Sequence, residues 1–195
     1  MSQLDLEPAT RRLATLVASV SADDLDAPTP CPQYAVGDLL DHIGGLALGF
    51  AAAARKERTD TTARAPSGNA SRLEPDWRDT IPHRLDALAE AWRDPGAWTG
   101  MTRVGGVDLP GEVAGVVALD ELVVHGWDLA RATNQPYECD RPALDAVHGF
   151  VQQFAAPEMA PRREGFFGPV VAVDDAAPLL DRVIGLAGRD PHWCP

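Results

Sequence analysis

The sequence predicts an all-α protein, a helical bundle with a small hairpin and extra helices at its C-terminal end. Three observations predict it. Apolar residues recur at helical spacing in one segment after another. No alternation of strand and helix patterns appears, and no internal repeat. Hydrophobic residues make up 45% of 195 residues, enough for one sizeable core, so residues 1–195 are expected to form a single domain.

The first helix is predicted from Ala9, Leu13, Leu16, Val17 and Val20, with Asp5 as its cap and Pro8 tolerated in the first turn. Pro28, Pro30 and Pro32 then force an irregular connection. A second helix carries Val36, Leu39, Leu40, Ile43, Leu46, Leu48 and Phe50 and fades over Ala51 to Arg55. Residues 58–75 lack apolar periodicity and read as a long loop, either mobile or part of a site rim. Trp77, Ile81, Leu85, Leu88 and Trp92 mark a third helix, in which Pro82 must lie near the first turn or kink the segment.

Thr102 to Leu109 reads as a hairpin turning at Gly105-Gly106. Pro110-Gly111 opens a long fourth helix that ends before Asn134-Gln-Pro136. A fifth runs from Arg141 to about Ala155, capped by Asp140, with Leu144, Val147, Val151 and Phe154 on one side. Phe167 to Val173 reads as extended. Asp174 or Asp175 is the expected cap of a last short helix that turns Leu179, Leu180, Val183 and Ile184 inward and ends at Gly188.

Seventeen basic against 29 acidic residues give a formal charge of −12, which argues against nonspecific binding to nucleic acid or anionic membranes. The acidic start, Met1 to Pro8, has no signal-peptide character, and charges interrupt the apolar helices before a bilayer's thickness. Cys31, Cys139 and Cys194 are odd in number and form no C-x-x-C, so reduced thiols and a cytoplasmic location are expected.

Glu121 and His125 lie one turn apart within the otherwise oily Val113-Ala-Gly-Val-Val-Ala-Leu-Asp-Glu-Leu-Val-Val-His-Gly-Trp-Asp-Leu-Ala. A helix apolar on nearly every face belongs in a core, where an ionised carboxylate is costly unless paired or bound to a metal. The i, i+4 spacing points both side chains to one side. His42, on the apolar side of the second helix among Leu39, Ile43 and Leu46, is the third candidate ligand. Two nitrogens and one oxygen with open positions form a donor set of catalytic type that suits zinc and would also accept nickel or iron. A blander reading makes His42 a hydrogen-bonded core residue and pairs Glu121 with Arg131 or Arg84. Asp128, two turns beyond Glu121, would orient a ligand histidine, act as a catalytic base, or pair with an arginine.

Thr29-Pro-Cys-Pro-Gln-Tyr-Ala-Val-Gly-Asp-Leu-Leu-Asp-His-Ile-Gly-Gly resembles the opening signature of the mycothiol-dependent maleylpyruvate isomerase N-terminal domain family. Asp120-Glu-Leu-Val-Val-His-Gly-Trp-Asp-Leu-Ala looks like its second metal segment, and the stretch from Phe167 to Leu186-Ala-Gly-Arg-Asp-Pro is similar to the tail of its short actinobacterial members. The resemblance implies a DinB-like four-helix up-down bundle holding a divalent metal through His42, Glu121 and His125, and the use of the thiol mycothiol. Tyr34-Ala35 departs from the family's more frequent Trp followed by Thr or Ser, which weakens the expected helix cap. The isomerase's additional C-terminal domain is not expected here.

Three functions fit these residues. The first is a metal-dependent thiol transferase or isomerase, in which the metal activates the thiol of a small cofactor toward an electrophilic substrate. The second is metal-assisted hydrolysis with Asp128 or another carboxylate as base. The third is a non-catalytic metal-binding or stress-response module. Among the remaining candidates, Cys31 reads as structural, His83 and His148 as non-ligands, and His192 and Cys194 as part of a frayed tail. Gly44, Gly45 and Gly49 allow a close helix approach or leave room for a ligand. Trp127 walls the pocket, and apolar helix surfaces offer a homodimer contact.

Overall fold

The computed structural model describes residues 4–163 and 166–195, so Met1 to Gln3, where the signal-peptide reading begins, lie outside the described residues. The main helices run α1 Glu7–Ala18, α2 Val36–Ala54, α3 Asp60–Ala63 and α4 Trp77–Trp92. A hairpin follows, β1 Met101–Val104 and β2 Val107–Pro110, then α5 Gly111–Ala132, α6 Arg141–Val151, α7 Ala160–Arg163 and α8 Leu179–Leu186. The all-α expectation holds, and each long helix falls on the segment whose periodicity predicts it.

Helices α1 and α2 each pack against both α4 and α5, which puts the four around one core. Leu13 and Val17 of α1, Leu39 and Leu40 of α2, Leu85 and Leu88 of α4 and Leu119 and Leu129 of α5 are essentially removed from solvent. The indole Nε1 of Trp92 donates to the Phe50 carbonyl at 3.1 Å, so even the largest core side chain leaves no polar atom unmet. Helix α2 is long and apolar enough to cross a bilayer by length and composition, contrary to the expectation that charges would prevent it. However, 78% of its apolar window is buried against its neighbours.

Local chemistry explains the helix starts. Asp5 accepts the Glu7 N–H at 2.9 Å at the head of α1. Ala35 offers no side chain to cap α2, as the Tyr34-Ala35 departure implies, but Asp38 reaches back to accept the Ala35 N–H at 3.1 Å. Asp140 caps α6 by accepting from Ala143 N–H at 2.9 Å. The hairpin turn holds Gly105 at φ 58° and Gly106 at φ 86°, the positive pair that a tight two-residue turn requires.

Four expectations change. The stretch 58–75 contains α3 and a 3-10 turn, Ala70–Arg72, and lies folded on α2. Backbone N–H groups of Asn69 and Ala70 donate to Asp41 and Asp38 of that helix, contacts that no periodicity could signal. Pro82 sits in the second turn of α4, beyond the positions where a missing N–H costs nothing. Asp174 caps the turn before α8, accepting from Ala176 N–H at 2.7 Å, while α8 itself starts after Pro178 with no side-chain cap. The tail is anchored rather than frayed, because Trp193 packs on the core and its carbonyl accepts from Arg131 Nε at 3.2 Å.

Helices α6 and α8 pack on one another, and α6 on α5. Buried Arg163 secures this C-terminal layer by donating to the carbonyls of Phe154, Gly168 and Leu186. The close packing of the four-helix core sets the cost of emptying it. Replacing the fully buried Leu85 by alanine should destabilise the protein by about 2–5 kcal/mol in chemical denaturation, and a loss below about 1 kcal/mol would contradict this packing.

Candidate metal centre

Because α2 packs against α5, His42 in the second turn of α2 faces the middle of α5. His125 Nε2 lies 3.1 Å from Glu121 Oε2, and His42 Nε2 lies 3.7 Å from the same oxygen. The two imidazole rings meet edge to face, with centroids 4.8 Å apart. Among the described residues, His42, Glu121 and His125 form the one group of three metal-type side chains whose donor atoms all lie within 4.8 Å of one another. Both histidines are buried, whereas the Glu121 side chain keeps 27% of its surface exposed.

The far nitrogens are already committed. His42 Nδ1 lies 3.0 Å from the Pro66 carbonyl oxygen, which can only accept, so this nitrogen carries the hydrogen. His125 Nδ1 lies 3.0 Å from Asp128 Oδ2, and an ionised carboxylate fixes it as a donor too. In their neutral forms both rings therefore aim the lone pair of Nε2 at the Glu121 carboxylate. Three electron-rich atoms converge on one point, an arrangement that needs a proton or another cation.

The titration behaviour follows from this crowding. Burial opposes ionisation of Glu121, but the hydrogen bonds and charge of His125 and His42 overcome it and hold its carboxyl far below the usual range. Burial likewise opposes the imidazolium of His125, yet Asp128 and Glu121 on its two nitrogens raise it to about 9. Asp120, next along α5, is pushed well above the carboxylate range, first by burial and then by the Glu121 charge. Its Oδ1 is buried without a hydrogen-bond partner.

Neither arginine weighed as a partner for Glu121 reaches it. Arg84 pairs with Glu74 at 2.7 Å, and Arg131 binds the Trp193 carbonyl. Asp128 is fully buried and bonded to both His125 and Arg189, so both of its oxygens are engaged. Cys31 is buried, its Sγ donates to Gln33 Oε1 at 3.2 Å, and burial pushes the thiol up, in keeping with a structural role. His83 and His192 are exposed, and His148 contacts Arg182, all away from the three donors. Trp127, expected to wall the pocket, is buried with Arg131 over its ring and lines neither of the two cavities described below.

Three contributors act in ways the residue pattern does not show, although Tyr34 and Arg189 both stand in stretches that resemble the family. Tyr34 packs against His42 at a 42° tilt with centroids 5.0 Å apart, and its hydroxyl accepts from Gly68 N–H. Pro66 acts through a backbone carbonyl, and Arg189 arrives from 61 residues beyond Asp128. Gly45 makes the Pro66 contact feasible, because a Cβ there would sit 2.9 Å from the proline ring. The close-approach reading of the α2 glycines therefore holds, with the loop and α4 as the elements that approach.

Space beside the donors is limited on the inside of the bundle. The cleft that Glu121 shares with Leu13, Ile43, Leu46, Phe50 and Leu88 has about 10 Å³, the lower limit for a single water. A larger groove of about 420 Å³ runs between α2, α4 and the 60–74 segment, shares Pro66 with the His42 contact and contains none of the three donors.

Comparison with known proteins gives this arrangement a family. Over 128 residues, 65% of this chain and 64% of theirs, the sequence is 30% identical to uncharacterized proteins from two strains of Mycobacterium tuberculosis. Two crystal structures of the mycothiol-dependent maleylpyruvate isomerase, one of them a histidine-to-alanine mutant, superpose with TM-scores of 0.60 and 0.57. At 16% and 18% identity they share the fold, over 74% of this chain and 65% of each of theirs. The chain thus spans slightly under two thirds of the length of these relatives. The family model of the mycothiol maleylpyruvate isomerase N-terminal domain matches residues 6–130, which include α1 to most of α5 and all three converging donors, and the chain belongs to that family.

Proposed function

We propose that the protein binds one divalent metal ion through His42 Nε2, a Glu121 carboxylate oxygen and His125 Nε2, and uses it as a thiol-dependent transferase or isomerase. The observation that carries this reading is the convergence of two lone pairs and a carboxylate, with each imidazole held from behind by an acceptor. The 3.1 and 3.7 Å separations bracket the roughly 3.3 Å expected between two donors sharing a tetrahedral zinc ion. Two imidazoles and one carboxylate suit zinc best and would accept nickel or iron. Three protein donors leave a coordination position open, the arrangement of catalytic sites.

A bound ion at this point would lower the pKa of a coordinated thiol and keep it as thiolate near neutral pH. The chain's own residues would do the rest. Glu121 offsets the ion's charge, Pro66 and Asp128 hold the two rings in the donor tautomer, and Tyr34 flanks His42. Mycothiol is the thiol that family membership favours, with an electrophilic small molecule as its reaction partner. A hydrolytic reading needs a free carboxylate to take a proton from water, and Asp128 has both oxygens engaged.

Purified protein should hold about one divalent ion per chain by elemental analysis, and His42→Ala should release it; full occupancy in that variant would refute the ligand assignment. In a screen of electrophiles, turnover should require both the metal and a thiol, mycothiol above others. Turnover of esters without any thiol would favour hydrolysis instead, and metal loading with no turnover at all would leave a binding module. Metal binding must also displace the proton that His125 holds up to about 9. Apparent zinc affinity, measured by chelator competition, should therefore rise as pH increases from 6 toward 9, by at most about tenfold per pH unit, and then level off. A flat profile over that range would contradict the role of His125.

A further inference from the structure

We propose that Arg189 is a positioning residue, which holds the His125 imidazole in register through Asp128 and so makes the segment after α8 part of the site. The inference deepens the metal-centre reading above and rests on it for its functional meaning. Its geometric core, a guanidinium–carboxylate–imidazole chain, exists with or without a metal.

Arg189 is buried, and so is Asp128, with no exposed surface at all. Arg189 Nη2 donates to Asp128 Oδ2 at 3.1 Å and Nε approaches Oδ1 at 3.4 Å, so the fork of the guanidinium engages both carboxylate oxygens. Oδ2 simultaneously accepts from His125 Nδ1 at 3.0 Å. With its plane pinned from the far side, the carboxylate has one orientation from which to hold the ring, and that orientation turns Nε2 toward Glu121 and His42. An isolated aspartate would be free to rotate, and the imidazole with it. The third nitrogen, Nη1, donates to the Ala187 carbonyl at 2.9 Å, which fixes the arginine in turn.

The backbone is shaped to deliver this side chain. After α8, Gly188 N–H bonds to the Gly185 carbonyl and Arg189 N–H to the Ile184 carbonyl, the paired bonds of a Schellman stop. Gly188 takes the required positive φ of 85°, and a Cβ there would sit 2.6 Å from the Gly168 backbone. The chain therefore reverses tightly against the 167–173 segment and sends residue 189 inward to α5. Residue 189 lies outside the 6–130 span that carries the family match, so this support is not part of the matched domain.

The test compares Arg189→Ala, Arg189→Gln and Arg189→Lys with Arg163→Ala, which loosens the same C-terminal layer without touching Asp128. In chelator-treated protein, proton NMR should show a slowly exchanging downfield Nδ1–H of His125, assigned by its loss in His125→Gln. It should exchange at least tenfold faster or vanish in Arg189→Ala, recover in part in Arg189→Lys, and persist in Arg163→Ala. Zinc affinity should fall about 10–100-fold in Arg189→Ala and stay within threefold in Arg163→Ala. If Arg189→Ala does not fold, Arg189→Gln supplies the same comparison with the side-chain bulk kept. An unchanged proton signal in the folded Arg189 variants, or equal loss in Arg163→Ala, overturns the positioning role. Should the parent protein bind no zinc, the metal-centre reading fails alone, and the NMR comparison still decides the part played by Arg189.

Discussion

One constraint organises this molecule: the Glu121 carboxylate faces two imidazole nitrogens whose rings have already spent their hydrogens elsewhere. In water such a cluster would be unremarked, because solvent would hydrate each group. Inside a bundle, each electron-rich atom loses much of its hydration, and positive charge must be supplied locally. The raised proton affinity of His125 and the strongly acidic Glu121 are two expressions of that same demand. Much of the surrounding structure then serves to keep the two rings from relaxing away from the acid.

The support comes from two directions. His42 is held by the segment between α2 and α4, which lies down on α2 through Asp38 and Asp41 and places the Pro66 carbonyl behind the ring. The small side of Gly45 permits that descent. His125 is held by Asp128 from within its own helix, and Asp128 by Arg189 from the chain after α8. One buttress thus precedes the second metal-type segment in sequence and the other follows it, although both close on the same few ångströms of space.

The parts of this arrangement that could be read in the sequence are those with local grammar. Glu121 and His125 are one turn apart, and their oily surroundings make the charge conspicuous; His42 stands on the apolar face of a helix predicted by its own periodicity. The hairpin followed from Gly105-Gly106 and the α6 cap from Asp140. The parts that escaped depend on contacts distant in sequence. Pro66 acts through a carbonyl, which every residue possesses. Arg189 stands in the tail stretch that resembles the family, but its role shows only when the Gly188 turn aims it at Asp128. The 58–75 stretch lacks periodicity because its order derives from hydrogen bonds onto another helix. Asp174, one of the two expected caps of α8, caps the preceding turn instead, since Pro178 occupies the start of that helix.

The geometry also limits where the three donors are open to their surroundings. The interior side of Glu121 opens on a narrow cleft among Leu13, Ile43, Phe50 and Leu88, too small for anything beyond a water. The two imidazoles are buried, and Asp128 is sealed by Arg189. Most of the exposure at the centre belongs to Glu121, whose side chain keeps 27% of its surface against 10% for His42 and 9% for His125, so the donors are open to solvent mainly along its flank. Tyr34 and the Gly68 backbone tied to its hydroxyl lie beside His42. The segment that holds His42 in place therefore also lies beside the open side of the donors, and changes in that loop would alter donor geometry.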